Sequence, residues 1–383
     1  MTGVAELLRG KDVCICAGSG GVGKTTTSAA IAAGMAARGH RVAVLTIDPA
    51  KRLADSLGLP ELGNVERRVD PSLFEAEGIE TEGGELWAMM LDAKATFDDL
   101  IAKHAPDAET RDRILDNRIY RQISNALAGS QEYMAMEKLF ELHQESRYDL
   151  LVLDTPPSRN ALDFLDAPRR LTQFIEGRSL QVFMRPTGLG MKLFGRGTSM
   201  MFSVLRRLTG VDLLEDISEF FQAFSGMVGG FQERAKRVNE LLADRRTSFV
   251  VVCGPQGEPI EEAVYFHRQL VEASLPFGGV IVNKVHFDSE FAVQEGEDPA
   301  AELAEAVGDR DLAERAVATL DDYRALAARD RRNIERLTAE MRARRVIQVP
   351  YLDEDVHDLA GLMEINRYLF ATEPEREALA ASR

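Results

Sequence analysis

The sequence predicts an α/β fold in which a doubly wound, mainly parallel sheet carries an inserted helical subdomain. Short apolar runs are typical of parallel strands that are buried on both faces. Such runs occupy residues 13–17, 41–47, 85–91, 148–154, 247–253, 278–284 and 345–349. Helical patterns separate most of them, as in βαβ units, whereas residues 60–85 are expected to be a loop. A glycine-rich motif at residues 18–25, GSGGVGKT, joins the first run to a helix-forming stretch.

The length and composition of the chain indicate its domain organisation and disfavour some classes of partner. The chain has 383 residues and a formal net charge of −16, with 45% hydrophobic and 28% charged residues. These proportions are ordinary for a globular protein, and we expect a single domain over residues 1–383. No long basic block occurs, so nucleic acid is not an expected partner. No apolar run is long enough for a signal peptide or a membrane span, so we expect a cytoplasmic protein without stable membrane insertion.

The glycine-rich motif fits the phosphate-binding loop pattern G-x-x-x-x-G-K-[ST]. Glycine lets backbone N–H groups converge on phosphate oxygens, and a following helix N-terminus favours an anion. We expect Lys24 to bind phosphate and the hydroxyl of Thr25 to bind Mg²⁺. The motif therefore predicts a P-loop NTPase that uses ATP and Mg²⁺. Its cofactor-binding residues would be Gly18, Ser19, Gly20, Gly21, Val22, Gly23, Lys24, Thr25 and Thr26.

Two aspartates follow or end apolar strands, on the side of the sheet where such folds bind ligands. Asp48 could position or deprotonate the water that attacks the γ-phosphate, or it could cap a helix before Pro49. Asp154 suits the second acidic group around Mg²⁺, which acts through a water. We therefore expect Lys24, Asp48 and Asp154 to be the catalytic residues, with both aspartates near the metal.

Three further regions are predicted to be helical. Residues 94–146 and 168–245 form the expected helical subdomain, and the second is rich in Met and Phe. Its apolar residues recur at helical spacing from Leu213 to Phe231, which fits either a stripe that faces the core or an adaptable groove for a hydrophobic client. Residues 285–345 carry many charges and are expected to form a solvated helical excursion.

Taken together, the motifs resemble those of the arsenical pump-driving ATPases and of the ATPases that target tail-anchored membrane proteins, a family with a deviant Walker A loop. The family patterns are GKGGVGKTT, DPAxxLxD, DTxP before an apolar FL, an Asn-bearing strand and P-L-x-x-E-V. The corresponding residues here are 18–26, 48–55, 154–158 with Phe164 and Leu165, Asn283, and 350–356. The resemblance covers nearly the whole chain.

This resemblance implies a nucleotide-dependent dimer in which a helical subdomain opens and closes a groove. It implies that Asp48 orients the attacking water and that Asp154 senses the nucleotide. It also implies that Asn283 and Pro350 contact adenine, and an Asn at a strand end can hydrogen-bond a base edge. The partners would be ATP or ADP, a second ATPase subunit, and a hydrophobic protein or lipid-like client.

The sequence departs from this family at three points. The family's second loop residue is a lysine that reaches the partner's phosphates, whereas Ser19 carries no charge, so this chain should not complete its partner's site. The resemblance is to a bacterial member that lacks this lysine. A homodimer would lack both lysines and be slow, so we expect a hetero-oligomer with a lysine-bearing related subunit. The cysteine pair that clamps zinc in tail-anchor-targeting members is absent. Cys14, Cys16 and Cys253 do not form a cluster that suits arsenite.

These observations favour an Mg²⁺-dependent ATPase that couples ATP hydrolysis to dimer closure and to an apolar client-binding surface. The alternative is a nucleotide-binding regulatory or scaffold subunit with little turnover, which Ser19 leaves open. A cell-division or plasmid-partition ATPase is disfavoured by the acidic composition and by the long helical insertions.

Overall fold

The structure, a computed structural model, describes most of the chain. The described residues are 3–47, 52–118, 120–121, 131–156, 220, 222–288, 298–342, 345–352 and 354–381. Most of the Met- and Phe-rich region, residues 168–219, lies outside them, and so does Asp48. Among the described residues, no helix combines the length and the apolar character that crossing a bilayer requires.

An eight-stranded sheet forms the centre of the described fold. Its strands are β1 (Val13–Ala17), β2 (Arg41–Thr46), β3 (Arg67–Arg68), β4 (Glu85–Met90), β5 (Leu150–Asp154), β6 (Thr247–Cys253), β7 (Phe277–Val285) and β8 (Val346–Pro350). Their order across the sheet is β3-β4-β2-β5-β1-β6-β7-β8. Every neighbouring pair is parallel except β3 with β4. The predicted mainly parallel α/β sheet is therefore confirmed.

Helices cover both faces of this sheet. They are α1 (Val4–Leu7), α2 (Lys24–Ala36), α3 (Arg52–Ser56), α4 (Pro71–Ala76), α5 (Ala93–His104), α6 (Ala108–Asp116), α7 (Gln131–Glu145), α8 (Val228–Ala243), α9 (Gly257–Glu272), α10 (Pro299–Val307), α11 (Arg310–Met341), α12 (Leu359–Leu369) and α13 (Glu373–Ala381). The expected helical stretch at residues 94–146 contains α5, α6 and α7 as separate helices.

Two apolar layers hold these helices against the strands, because parallel strands are apolar on both faces. Along β1, Val13 and Ile15 face the layer of α5 to α9 and the second half of α11. Cys14 and Cys16 face the other layer, which contains α2 and α12. Nearly every residue of α2 is buried, so the helix that follows the phosphate-binding loop is fixed inside this layer.

The expectation of a loop over residues 60–85 is wrong in two places. Asp70 caps α4, and its Oδ1 accepts a hydrogen bond from the backbone N–H of Ser72 at 2.9 Å. Pro71 occupies the first turn, where its missing N–H is not needed. The two-residue strand β3 then pairs antiparallel with β4. Its pairing partner β4 lies about twenty residues away in the chain, so no local sequence pattern predicts this strand.

The described end of the Met- and Phe-rich stripe faces the core. Phe220, Phe224, Met227 and Phe231 are all buried. The ring of Phe231 lies 5.3 Å from that of Phe224 and 5.9 Å from that of Phe97 in α5, measured between centroids. For these residues the core interpretation holds, whereas the rest of the stripe lies outside the described residues.

The charged region after β7 forms α10 and α11, but it is not wholly solvated. α11 has 32 residues and would span about 48 Å as a straight helix. Its first half is mostly exposed, in keeping with its charges. Its second half carries a buried stripe, which we call the α11 stripe. The stripe consists of Ala327, Asp330, Ile334, Leu337 and Met341.

Candidate functional site

The candidate site lies at the carboxyl ends of the central strands. β1 is flanked by β5 on one side and β6 on the other, so the chain order reverses across it. Open α/β sheets bind ligands at such a point. The phosphate-binding loop at residues 18–23 leaves β1 here, and Lys24, Thr25 and Thr26 form the first turn of α2. The predicted motif therefore stands in the strand–loop–helix context that its chemistry requires.

The loop conformation depends on its glycines. Gly21 and Gly23 have φ angles of +78° and +84°, a region that other L-residues rarely adopt. Gly23 is the N-cap of α2 and brings no side chain to the first N–H groups of the helix. Those groups therefore remain available to an anion, and the helix dipole adds to its attraction.

The end of β7 braces this loop from one side. The Nδ2 of Asn283 donates a hydrogen bond to the carbonyl oxygen of Val22 at 2.9 Å, and Asn283 is buried. A Cβ at Gly23 would lie 2.3 Å from that same Nδ2. Lys284 adds a hydrogen bond from Nζ to the carbonyl oxygen of Gly21 at 3.3 Å. Asn283 thus positions the loop in this structure, and its contact with adenine stays a prediction.

The end of β5 carries an acidic centre on the other side of the loop. Asp154 is fully buried, and its Oδ2 accepts hydrogen bonds from Thr25 Oγ1 at 2.7 Å and from Thr46 Oγ1 at 2.9 Å. A buried carboxylate is unfavourable unless it is paired or hydrogen-bonded, and both hydroxyls serve that purpose. Lys24, also buried at 6% exposure, begins the helix beside Thr25. The sequence predicted three of these four residues and missed Thr46.

This centre fits a magnesium ion. The Thr25 hydroxyl donates a hydrogen bond to Asp154, so the lone pairs of Oγ1 can bind a cation. Mg²⁺ prefers oxygen ligands and usually combines one or two protein groups with phosphate oxygens and waters. In the described part of the chain, no three His, Cys, Asp or Glu residues form a cluster that could hold a metal by themselves. The donor set therefore suits a metal that arrives with a phosphate ligand.

Two threonines support the centre without having been predicted. Thr46 ends β2 level with Asp154 on the neighbouring strand. Thr155 donates from Oγ1 to the carbonyl oxygen of Cys16 at 2.9 Å, which ties the residue after β5 to the end of β1. A hydroxyl at the end of an otherwise apolar strand is the signal that could have identified Thr46.

Three other predicted site residues have separate outcomes. The Oγ of Ser19 is buried and makes no hydrogen bond within the described part of the chain. Asp48 lies outside the described residues, so its role stays a prediction. Pro350 ends β8, and the next residue, Tyr351, donates its backbone N–H to the carbonyl oxygen of Val285 at 3.0 Å. The ends of β7 and β8 are thereby joined beside Asn283.

The cysteines are core residues. All three are buried, and the Sγ atoms of Cys14 and Cys16 lie 3.9 Å apart. The hydrogen bond with Cys16 and then burial raise the pKa of Cys14 well above its ordinary value. Burial raises the pKa of Cys253 to about 12. The thiols of Cys14 and Cys253 therefore stay protonated at neutral pH, whereas thiolates are the form that binds soft ligands.

Comparison with known proteins identifies the family. The profile described as "Anion-transporting ATPase" matches residues 11–297. ATPase GET3A of Arabidopsis thaliana is 25% identical over 282 residues, which cover 71% of this chain and 67% of that protein. ATPase get3 of Aspergillus terreus is 25% identical over 277 residues, with coverages of 71% and 73%. ATPase ASNA1 homolog 1 of Paramecium tetraurelia is 23% identical over 278 residues, with coverages of 71% and 74%. With its phosphate-binding loop, Asp154 and Asn283 all inside the matched region, the chain belongs to the anion-transporting ATPase family.

Proposed function

We propose that the protein is an Mg²⁺-dependent ATPase that couples ATP hydrolysis to dimer closure and to an apolar client-binding surface. The observation that carries this proposal is the convergence of the loop, the α2 N-terminus and the acidic centre at one point of the sheet. Phosphoryl transfer depends on positioning and on electrostatic stabilisation, which these parts can supply. Membership of a family of ATPases supports the same assignment.

The proposed division of roles follows from the chemistry of each group. The backbone N–H groups of residues 18–23 and the ammonium of Lys24 hold phosphate oxygens and stabilise their growing negative charge. Thr25 directly, and Asp154 through a water, would hold Mg²⁺, which when bound neutralises charge on the phosphate oxygens. Asp48 would orient the attacking water, and Asn283 with Pro350 would contact the adenine.

Ser19 is the reason to propose two different subunits. The resemblance stated in the sequence analysis implies a lysine at this loop position that reaches the phosphates of the partner. The serine hydroxyl is neutral and its Oγ is buried, so this chain brings no cation from that position. A related subunit with the lysine would supply the missing charge to this chain's ATP. The client would be a hydrophobic protein or a lipid-like molecule, as the Met- and Phe-rich residues 168–219 suggest.

A second candidate function rests on the same residue. If no partner supplies a cation, this chain would bind nucleotide with little turnover and act as a regulatory or scaffold subunit. The retained Lys24, Thr25 and Asp154 favour the enzyme, because they bring together an ammonium, a hydroxyl and a carboxylate that phosphoryl transfer would use.

The decisive experiment compares steady-state ATP hydrolysis by the pure wild-type chain with that of two variants. Ser19→Lys restores the charge, and Ser19→Met supplies a chain of similar length without charge. The mass of each protein is determined with and without ATP. We expect slow turnover in the wild type, a gain on the order of 10³ in Ser19→Lys with dimer formation, and no gain in Ser19→Met.

The other outcomes separate the two functions. Brisk turnover by the wild type alone would remove the reason for a second kind of subunit. ATP binding without turnover in every form, even with a lysine-bearing relative added, would favour the regulatory subunit. Where turnover is present, Asp48→Asn should abolish it without abolishing ATP binding, and full activity in that variant would contradict the role of Asp48.

A further inference from the structure

The α11 stripe contains a charged residue where an apolar one would be expected. Its members are spaced by three and four residues, which places them along one side of the helix. Asp330 is the charged member, and it is completely buried. Removing a carboxylate from water is unfavourable, and a well-packed apolar residue often serves stability as well or better. The position of Asp330 therefore calls for a reason besides packing.

Asp330 fastens α11 to the residue that follows β7. Its Oδ2 accepts hydrogen bonds from the backbone N–H of His286 at 3.1 Å and from His286 Nδ1 at 2.7 Å. Its Oδ1 accepts from Nη2 of Arg329 at 2.9 Å and from Nε of the same guanidinium at 3.2 Å. The carboxylate thus fixes both the backbone and the ring of His286, which comes three residues after Asn283.

His286 in turn supports an aromatic surface. Its ring stacks on that of Tyr351, with centroids 5.6 Å apart and an interplanar angle of 12°. Tyr323 of α11 contacts the same imidazole edge-on at 5.4 Å. Tyr351 follows Pro350 directly and is 54% exposed, so part of its ring remains available to a ligand.

The aromatic surface follows the β7 side of the loop, where Asn283 contacts Val22. On the β5 side, the buried carboxylate of Asp154 and its hydroxyl donors suit a metal and offer no surface to a base. On the β7 side, the amide of Asn283 touches the loop, and the ends of β7 and β8 continue to His286 and Tyr351. A nucleotide whose phosphates occupy the loop can therefore extend its base toward these rings.

We propose that Asp330 is a positioning residue for the base of the bound nucleotide. By holding the His286 ring, it keeps the Tyr351 ring in place beyond Asn283, and a nucleobase stacks against this surface. The proposal rests on the proposed nucleotide-binding function. It concerns a helix that begins at Arg310, beyond the residues 11–297 that the family profile matches.

The test separates the contribution of the base from that of the phosphates. Dissociation constants are measured by displacement of a fluorescent ADP, with Mg²⁺, for ADP and for inorganic tripolyphosphate, which has no base. The variants are Asp330→Leu, which completes the stripe but breaks the contact with His286, and Asp330→Asn, which keeps a hydrogen-bond acceptor. Leu337→Ala is the matched control, because it disturbs the same buried stripe away from His286. Tyr351→Ala is a second, surface variant for which folding is not in question.

We expect Asp330→Leu and Tyr351→Ala to weaken ADP binding about tenfold, since base stacking on an aromatic ring typically contributes on that scale. Tripolyphosphate binding should change less than about twofold, Asp330→Asn should restore much of the ADP affinity, and Leu337→Ala should leave the ratio of the two constants unchanged.

Equal losses for both ligands, or no loss for either, would overturn the proposal. If the wild type binds ADP with the expected preference over tripolyphosphate but Asp330→Leu keeps it, Asp330 has no such role while nucleotide binding stands. If the wild type binds neither ligand, the proposed function falls together with this inference.

Discussion

A methyl group at Gly23 is the most direct perturbation of the loop. Its effect on the free energy of unfolding can be estimated from the backbone angle of Gly23 and from its contact with Asn283. An L-residue in the left-handed conformation costs about 1–2 kcal/mol, and φ is +84° at Gly23. The new Cβ would also lie 2.3 Å from Asn283 Nδ2, so the amide must move and its hydrogen bond to Val22 is lost. Leaving that buried pair unsatisfied adds about 1–3 kcal/mol. We therefore expect Gly23→Ala to lower the free energy of unfolding by about 2–5 kcal/mol.

Gly21 is the matched control. Its φ of +78° imposes a similar backbone penalty, but nothing lies within 4 Å of an added Cβ. Gly21→Ala should therefore lower the free energy of unfolding by about 1–2 kcal/mol only. Asn283→Ala tests the contact from the other side, since it removes the atoms that the new methyl would meet. In the Asn283→Ala background, the penalty of Gly23→Ala should fall to that of Gly21→Ala.

The assay is urea unfolding of the four proteins of this double-mutant cycle, with Gly21→Ala alongside, in the absence of nucleotide. The two substitutions should show a coupling of about 1–3 kcal/mol, because both disrupt one hydrogen bond. Two results would refute the reasoning. Equal destabilisation by Gly23→Ala and Gly21→Ala would mean that the amide of Asn283 yields without loss. Additive effects within about 0.5 kcal/mol would mean that the two residues do not restrain each other.

Three further perturbations follow from other contacts. Thr46→Val removes one hydroxyl donor from the buried carboxylate of β5, so we expect a loss of about 1.5–3 kcal/mol of stability. Calorimetry should show ADP binding weakened more with Mg²⁺ than without it, and equal weakening would contradict a metal centre there. Glu137 is 1% exposed and pairs with Arg234, so Glu137→Gln should cost about 3–5 kcal/mol by urea unfolding, whereas replacing both with Met should recover most of it. Desolvation, and then the charge of Arg234, lower the pKa of His104, so the folded state favours the neutral ring. The unfolded chain then takes up the proton first, and stability should fall as the pH drops below about 6.5, less so in His104→Gln, as thermal midpoints at pH 7 and pH 5 would show.

The sequence was most informative where the determinants are local. The spacing of glycines, Lys24 and Thr25 is a continuous pattern, and it predicted both the loop and the helix that follows. The apolar runs predicted the long strands for the same reason. The contact between Thr46 and Asp154 is different, because it exists only once β2 and β5 are neighbours, and a single sequence does not give the order of strands. Asp154 could therefore be selected by its position at a strand end, but its hydroxyl partner could not.

In the charged helix α11 the local pattern itself is misleading. Its many charges predict a solvated surface, and the exposed first half agrees with that prediction. In the second half, apolar residues at helical spacing indicate a buried side, but Asp330 interrupts the pattern. The spacing places Asp330 on that side, but only its burial and its hydrogen bonds with His286 in the structure show that the charge stays inside the stripe. The periodicity of apolar residues therefore does not predict that a charged residue is buried when its partner lies about forty residues away.

The phosphate-binding loop is flanked by contacts with β5 on one side and with β7 on the other, and these contacts differ in chemistry. The difference bears on which part of the fold responds to each part of a bound nucleotide. On one side, the hydroxyl of Thr25 is shared between α2 and the carboxylate of Asp154, so a cation on that hydroxyl acts directly on the end of β5. Thr155 links the same strand end to β1, and the chain continues from there into the Met- and Phe-rich region. On the other side, Asn283 is an uncharged amide, and the strand that carries it leads through His286 toward α11. Metal and phosphate would therefore act mainly through β5, and the base mainly through β7. A variant of the β5 side should alter the Mg²⁺ dependence of binding, whereas a variant of the β7 side should alter the preference for ADP over tripolyphosphate.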